Sequence, residues 1–302
     1  MRRLRISAIS FLNTAPLMWD FERGAVPDVT SKTVGEDFEI SYTLPSRCAE
    51  ALKRGAADIG IIPAISYATI PRLAILPDAA IAAKGAVRSI LLVSKVRIED
   101  VTTIAADTSS RSSVALAQIL CRKFWGRVRL FRHYPPDLAS MLKDCDAGLL
   151  IGDPALRVPC SPAALGRDVP TRDSRADYFV YDLAAEWRKF TGKPFVFAFW
   201  AVRLQALSEI RRELDVAAAF RDSRDHGIQP ASIAAIARQW STRVELSEAK
   251  IAAYLTKNIY YSLDPENLEG LELFFRYSAE SGIINEIPSL RWLGLAAQQF
   301  VG

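Results

Sequence analysis

Up to Val202, short runs of apolar, β-forming residues alternate with amphipathic stretches, the rhythm of β-α units built into a mainly parallel sheet. The spacing predicts strands at "RLRISAIS", "FEISYTLP", "ADIGIIP", "SILLVS", "TTIAAD", "RVRLFRH", "AGLLIGD" and "FVFAFWAV". Helices fit between them. "PSRCAEALKRGA" sets Ala49, Leu52 and the Lys53 stem on one face and ends at Gly55, while "RSSVALAQILCRKFWG" opens on serines and stops at Gly126. Beyond Val202 the pattern changes. "LQALSEIRRELDVAAAFRDSRDHG", "SIAAIARQWST", "SEAKIAAYLTKNIYYSL" and "PENLEGLELFFRYSAESG" all read as helices, with turns at Gly227 to Pro230 and Asp264 to Pro265.

The opening stretch, "MRRLRISAISFLNTAPLMWDFERG", joins basic residues to an apolar run, as an export signal does. Ser7, Ser10, Asn13 and Thr14 interrupt that run, Pro16 follows it, and Trp19, Asp20, Phe21 and Glu22 stand where cleavage should occur. A strand, a polar corner at "FLNT" and a helix with proline in its first turn account for the stretch better. The richest apolar region, "LAILPDAAIAAKGAVRSILLVSK", is broken by Lys84, Arg88 and Lys95, short of the ~18 uninterrupted apolar residues of a membrane span. A soluble, cytoplasmic chain with no membrane partner is the expectation.

Two segments echo each other. "ADIGIIPAI" from Ala57 and "CDAGLLIGDPAL" from Cys145 share an acidic residue, a glycine, an aliphatic strand and a following Pro-Ala, and each comes after a polar corner that opens a helix. Two similar α/β lobes are implied, with chance resemblance between strand-rich segments as the alternative. Crossings at "VRSILLVSK" and "FVFAFWAVR" then assign residues 1–92 and 200–302, with the C-terminal helices, to lobe 1 and residues 93–199 to lobe 2. In open α/β sheets ligands sit beyond the carboxyl ends of the strands, so the ligand is expected in the cleft between the lobes.

Composition narrows the chemistry. With 302 residues, 50% of them apolar, the chain has room for two domains, and its net charge of +4 is slight. Arginine is spread through the sequence instead of forming a basic block, so a small anion is an expected partner and nucleic acid is not. Cys48, Cys121, Cys145 and Cys160 have no C-x-x-C spacing and no nearby histidine, which points to free thiols of a reducing compartment and to neither zinc nor a disulfide framework. His133 and His226 sit among charged or turn residues and read as surface histidines. No Ser-His-Asp, Cys-His or metal-ligand set is visible, nor a P-loop or G-x-G-x-x-G, so no cofactor is expected and any reaction must be an undemanding one.

The polar corners carry the candidate chemistry. "ADTSSRSSVAL" sets Thr108, Ser109, Ser110, Ser112 and Ser113 at a strand end and a helix N-terminus, where free amides, hydroxyls and the positive dipole end cradle a carboxylate or phosphate. A plain N-cap needs only one of these hydroxyls. "ISFLNT" adds Ser10, Asn13 and Thr14, "LPSRCAE" adds Ser46 and Arg47, "AVRSILL" adds Arg88 and Ser89, and "IGDPAL" adds Asp153. Each has a structural alternative: Ser46 and Asp153 as helix caps, Arg47 and Arg88 as solvated surface charges.

"ISFLNTAPL", "ADIGIIP", "DTSSRSSVAL", "IGDPAL" and "YDLAAEWRKFTGKPFVFAFWAVR", in this order along residues 6–203, resemble the chorismate dehydratases of the futalosine route to menaquinone. The resemblance implies an α/β, two-lobed, periplasmic-binding-protein-like (type II) fold with a helical C-terminal region, used as a cytoplasmic lyase that removes water from the dianion chorismate. On that reading Asn13 is the expected catalytic residue, and Ser10, Thr14, Ser46, Arg47, Arg88, Ser89, Thr108, Ser109, Ser110 and Asp153 are the expected substrate contacts. A homodimer is allowed but not required. The sister enzyme of the route, which forms 1,4-dihydroxy-6-naphthoate, and a solute-binding protein for a small carboxylate are the alternatives. The solute-binding protein would need an export signal or lipid-attachment cysteine, and neither is visible. A regulator's effector domain would need a preceding helix-turn-helix, for which a strand starting near residue 4 leaves no room.

Overall fold

In the computed structural model, which describes residues 2–23, 37–107, 109–159, 178–208 and 215–294, strand β1 (Leu4–Ile9) runs parallel to β2 (Phe38–Thr43) on one side and to β3 (Ile59–Pro63) on the other. Beyond β3 the sheet continues with β10 (Phe195–Arg203) and then β4 (Leu73–Ala83), giving the order β2-β1-β3-β10-β4. A second sheet has the order β7-β6-β8-β5-β9, formed by β5 (Ile90–Ser94), β6 (Thr103–Asp107), β7 (Leu130–Tyr134), β8 (Ala147–Ile151) and β9 (Phe179–Asp182).

The two orders are one pattern used twice: second, first, third, a crossing strand, then an edge strand. The echoing segments fall on the third strand of each sheet, β3 and β8. In each sheet four strands run one way, as expected of a mainly parallel sheet, and the crossing strand is the exception: β10 is antiparallel to both β3 and β4, and β5 is antiparallel to both β8 and β9. An aliphatic run buried on both faces carries the same pattern whichever way its neighbours run. Strands β4 and β9 lie in apolar segments that the periodicity did not single out. By sheet membership the chain changes body within residues 84–89 and again within residues 183–194, a few residues before the expected boundaries at 92/93 and 199/200.

Helices cover the faces. Pro45–Lys53 buries Cys48, Ala49 and Leu52, which leaves Arg47 on the solvent side. Arg111–Ile119 is capped by Ser110, whose side chain accepts from the Ser113 N–H, and runs on into a wider turn at Leu120–Phe124. The final long helix, Pro265–Glu280, starts at an Asp264 cap with proline in its first turn and turns Leu271, Phe274, Phe275 and Ser278 inward at helical spacing. It packs across both bodies. Phe274 meets Phe195 of β10 and Trp187 of the helix Leu183–Thr191 that follows β9, and Tyr277 meets Phe124.

Most buried apolar side chains join one cluster shared by the two sheets, while Leu91 and Val93 of β5 face a smaller cluster with Ala105, Met141 and Leu150 on the outer side of the second sheet. Alternation along β5 divides these sides, since Leu92 belongs to the large cluster. At the crossing, the fully buried Asp182 carboxylate accepts from the backbone N–H groups of Val87 and Arg88 and from those of Ala184 and Ala185. One carboxylate therefore pins both connections between the bodies.

Candidate active site

The corner after β1 is a turn of 3-10 helix, Leu12–Met18, followed by a short helix, Trp19–Arg23. It meets the corner after β8 head on. The Leu12 N–H donates to the buried Asp153 carboxylate at 3.0 Å, and the Gly152 N–H donates to the Ser89 carbonyl at 2.8 Å. Two further contacts join the first body to the serine corner: the Ser46 N–H to the Ser109 carbonyl at 3.1 Å, and the Ile65 N–H to Ser112 Oγ at 3.3 Å.

These contacts border a pocket, open to solvent on one side, with about 430 Å³ of atom-free space including its mouth. Its apolar walls include Ile9, Phe11, Ile81, Ile151 and Phe197, and its polar lining is Asn13, Ser89, Ser110, Ser112 and Ser113. The lining carries no charged side chain among the described residues. An anion bound here would be met by hydroxyls, a carboxamide and the N–H groups at the start of the helix Arg111–Ile119, which favour negative charge.

The expected residues divide by location. Asn13, Ser89 and Ser110 line the pocket together. Ser109 is buried beside it, but its N–H and Oγ both donate to Asp107, at 2.8 and 2.7 Å. Burial pushes the Asp107 carboxyl above the ordinary aspartate range, and those two donors oppose the shift. Thr108 lies outside the described residues.

Ser10 and Thr14 face a separate groove on the other side of Phe11, shared with Tyr42, Trp240 and Arg243. The Ser10 carbonyl accepts from Arg243 there, while Thr14 Oγ1 reaches back to Asn13 Oδ1 at 3.5 Å. Ser46 contributes its backbone N–H, not a cap, since the helix it opens has no side-chain cap. Arg47 is exposed, and the half-buried Arg88 gives its backbone N–H to Asp182; neither is in the pocket lining. Asp153 serves neither as a helix cap nor as a pocket group but as the acceptor that ties Leu12 across the cleft. Burial raises its pKa, with the Leu12 N–H and the charges of Arg243 and Arg157 acting the other way.

Ser89 has a second property of note. Its Oγ is buried and has no geometrically satisfied hydrogen bond, which leaves it available to something in the pocket. Near Ser89 and Asn13 lies Tyr254, which is buried. Desolvation pushes its phenol well above the usual tyrosine range, and the polar Ser89 and Asn13 side chains oppose that shift. Sequence reasoning passed over Tyr254, which sits in a helical stretch, "AAYLTKNIYYSL", that offers no local mark of a site. Ser112 and Ser113 were legible as members of the serine corner.

Repeated sheets of this order with a pocket at their facing corners define the class: a periplasmic-binding-protein-like fold. A structural-genomics protein from Archaeoglobus fulgidus superimposes with a TM-score of 0.63 at 15% identity, covering 93% of this chain and 98% of the other. The periplasmic aliphatic sulphonate binding protein of Escherichia coli superimposes with a TM-score of 0.60 at 13% identity, covering 100% and 97%. These likenesses show the fold alone. In sequence, the family described as menaquinone biosynthesis matches residues 4–280, and the chain belongs to that family. It is also 32% identical over 196 residues to a chorismate dehydratase of Thermus thermophilus, covering 59% of this chain and 69% of the relative.

Proposed function

We propose that the chain is a chorismate dehydratase, a hydro-lyase that converts chorismate to 3-[(1-carboxyvinyl)oxy]benzoate and water. The observation that carries the reading is the pocket itself: Asn13, Ser89 and the serine corner line one pocket with apolar walls, in a chain related to an enzyme of that name. Chorismate offers a flat ring for the apolar walls and two carboxylates for the donors.

Elimination breaks the C3–H bond, moves its electron pair into a C3–C4 double bond and expels the C4 hydroxyl, which leaves as water with a proton. The ring becomes benzenoid, so much of the driving force resides in the substrate. The protein has to orient it and stabilise developing charge. In this scheme Asn13 hydrogen-bonds the departing hydroxyl or the enolpyruvyl group, Ser89 adds a contact from the crossing, and the Ser110–Ser113 turn holds a carboxylate at the helix N-terminus. Among the described residues the lining contains no histidine, lysine or carboxylate base. The substrate's own enolpyruvyl carboxylate therefore takes the C3 proton and passes it to the leaving hydroxide.

The reading assigns the protein a small dianionic partner, and neither a nucleic acid nor a membrane. No helix among the described residues is long and apolar enough to cross a membrane. A cytoplasmic location is part of the proposal, supported by the buried, unpaired thiols of Cys48, Cys121 and Cys145; Cys160 lies outside the described residues. Incubation with chorismate, followed by absorbance and mass, tests the function. Loss of one water supports it, tight binding without conversion points to a solute-binding protein, and cleavage of the cyclic futalosine substrate instead points to the sister enzyme.

A further inference from the structure

Ser89 lines the pocket from the crossing into β5, and its buried Oγ has no geometrically satisfied hydrogen bond. With no such bond to hold the hydroxyl, its place in the pocket depends on the backbone that carries it. That backbone is strained. Arg88, the residue before it, has φ of +67°, in the left-handed region that any residue with a Cβ disfavours. Such a conformation persists where surrounding contacts over-determine it, and these recur at functional sites.

The contacts are present on both sides of Ser89. Asp182 Oδ2 accepts from the Arg88 N–H at 2.7 Å, and Asp182 Oδ1 accepts from the Val87 N–H at 3.1 Å. Beyond the strained residue, the Ser89 carbonyl accepts from the Gly152 N–H at 2.8 Å. Asp182 is buried at the end of β9, and its Oδ1 also accepts from the Ala184 and Ala185 N–H groups, both at 3.1 Å, which caps the helix Leu183–Thr191. Its two oxygens therefore divide the work. Oδ1 holds three donors, and Oδ2 holds the Arg88 N–H.

We propose that Asp182 is a positioning residue: by holding the Val87 and Arg88 N–H groups it keeps Arg88 left-handed and so aims the Ser89 hydroxyl into the pocket. Asp182 is not in the pocket lining, and it acts on the substrate only through Ser89. The kinetic consequence rests on the chorismate dehydratase reading; the backbone one does not.

Asp182→Asn separates this role from helix capping. Its carbonyl oxygen can keep the Oδ1 partners, while its NH2 meets the Arg88 N–H donor to donor and that bond is lost. The kcat on chorismate should fall about 10–100-fold, as for a displaced catalytic contact. In a Ser89→Ala background the same substitution should lower kcat by less than about 3-fold, because the hydroxyl it aims is already gone. The loss in melting temperature should be alike in both backgrounds. In 15N,13C-labelled wild-type protein the Arg88 amide should exchange slowly with solvent, and in Asp182→Asn the Arg88 and Ser89 signals should shift more than those of Ala184 and Ala185. Unchanged kcat in Asp182→Asn, equal fold losses in the two backgrounds, or larger shifts at Ala184 and Ala185 would each overturn the proposal. So would a rapidly exchanging Arg88 amide in the wild type, a readout that holds if the variant does not fold. If the wild type does not convert chorismate, the dehydratase reading fails, and the Arg88 and Ser89 signals alone decide the role of Asp182.

Discussion

Gly152 closes β8 with φ of +60°, and a Cβ built on it would stand 2.7 Å from carbons of the Phe11 ring, which forms a wall of the pocket. Gly152→Ala therefore incurs two costs. The left-handed backbone costs an ordinary residue roughly 1–2 kcal/mol, and overlap with a packed ring adds about 1–3 kcal/mol. The sum is roughly 2–5 kcal/mol, which at about 2–4 °C per kcal/mol lowers the melting temperature by about 4–20 °C. Gly192 separates the two terms, because it has φ of +68° and nothing within 4 Å of an added Cβ; Gly192→Ala should show the backbone cost alone. The assay is denaturant unfolding of both variants beside steady-state turnover. If Phe11 swings away to relieve the overlap, the stability loss of Gly152→Ala falls toward that of Gly192→Ala. The ring then enters the pocket and KM rises. Equal stability losses for the two variants, together with unchanged KM for Gly152→Ala, would refute the claim that the Phe11 ring is seated against the glycine.

Other outcomes follow from the same geometry. Asn13→Asp should lower kcat by more than about 100-fold, by setting a carboxylate against a dianion where a preorganised donor stood, with the melting temperature nearly unchanged; retained turnover removes Asn13 from its assigned role. Asp153→Ala leaves the buried Leu12 N–H unpaired and should cost about 1–3 kcal/mol of stability, measured by urea unfolding, with Asp153→Asn recovering part of it. Asp146 accepts from the N–H and hydroxyl groups of both Thr102 and Thr103, and these bonds outweigh its desolvation and lower its pKa to about 2. Since that value lies below the ordinary aspartate range, its contribution is complete above that range and is lost as pH falls through about 2. The gap in melting temperature between wild type and Asp146→Asn should therefore close on acidification from pH 6, and a gap that widens contradicts the assignment.

Taken alone, the amino-acid order determined the local events. Strands β1, β3, β5, β6, β8 and β10, the serine-opened helix, the change to helices after Val202 and the polar corner at Asn13 all follow from short-range periodicity and turn chemistry, which residues near in sequence decide between themselves. Hydroxyls and a carboxamide, the side-chain types the polar corners offered, line the pocket. Their individual tasks were not legible. Ser109 spends its donors on Asp107, and Asp153 is consumed by Leu12. Arg47 points outward because Cys48, Ala49 and Leu52 take the inner face of its helix. Only the tertiary structure decided that β5 and β10 run against their neighbours, that Asp182 pins both crossings, and that Asp153 meets Leu12 from 141 positions away in the chain. The physical reason is common to all of these. A side chain's chemistry is written in its type, but which donor or acceptor it is left with depends on partners brought close by burial across the whole chain, and no local pattern records them.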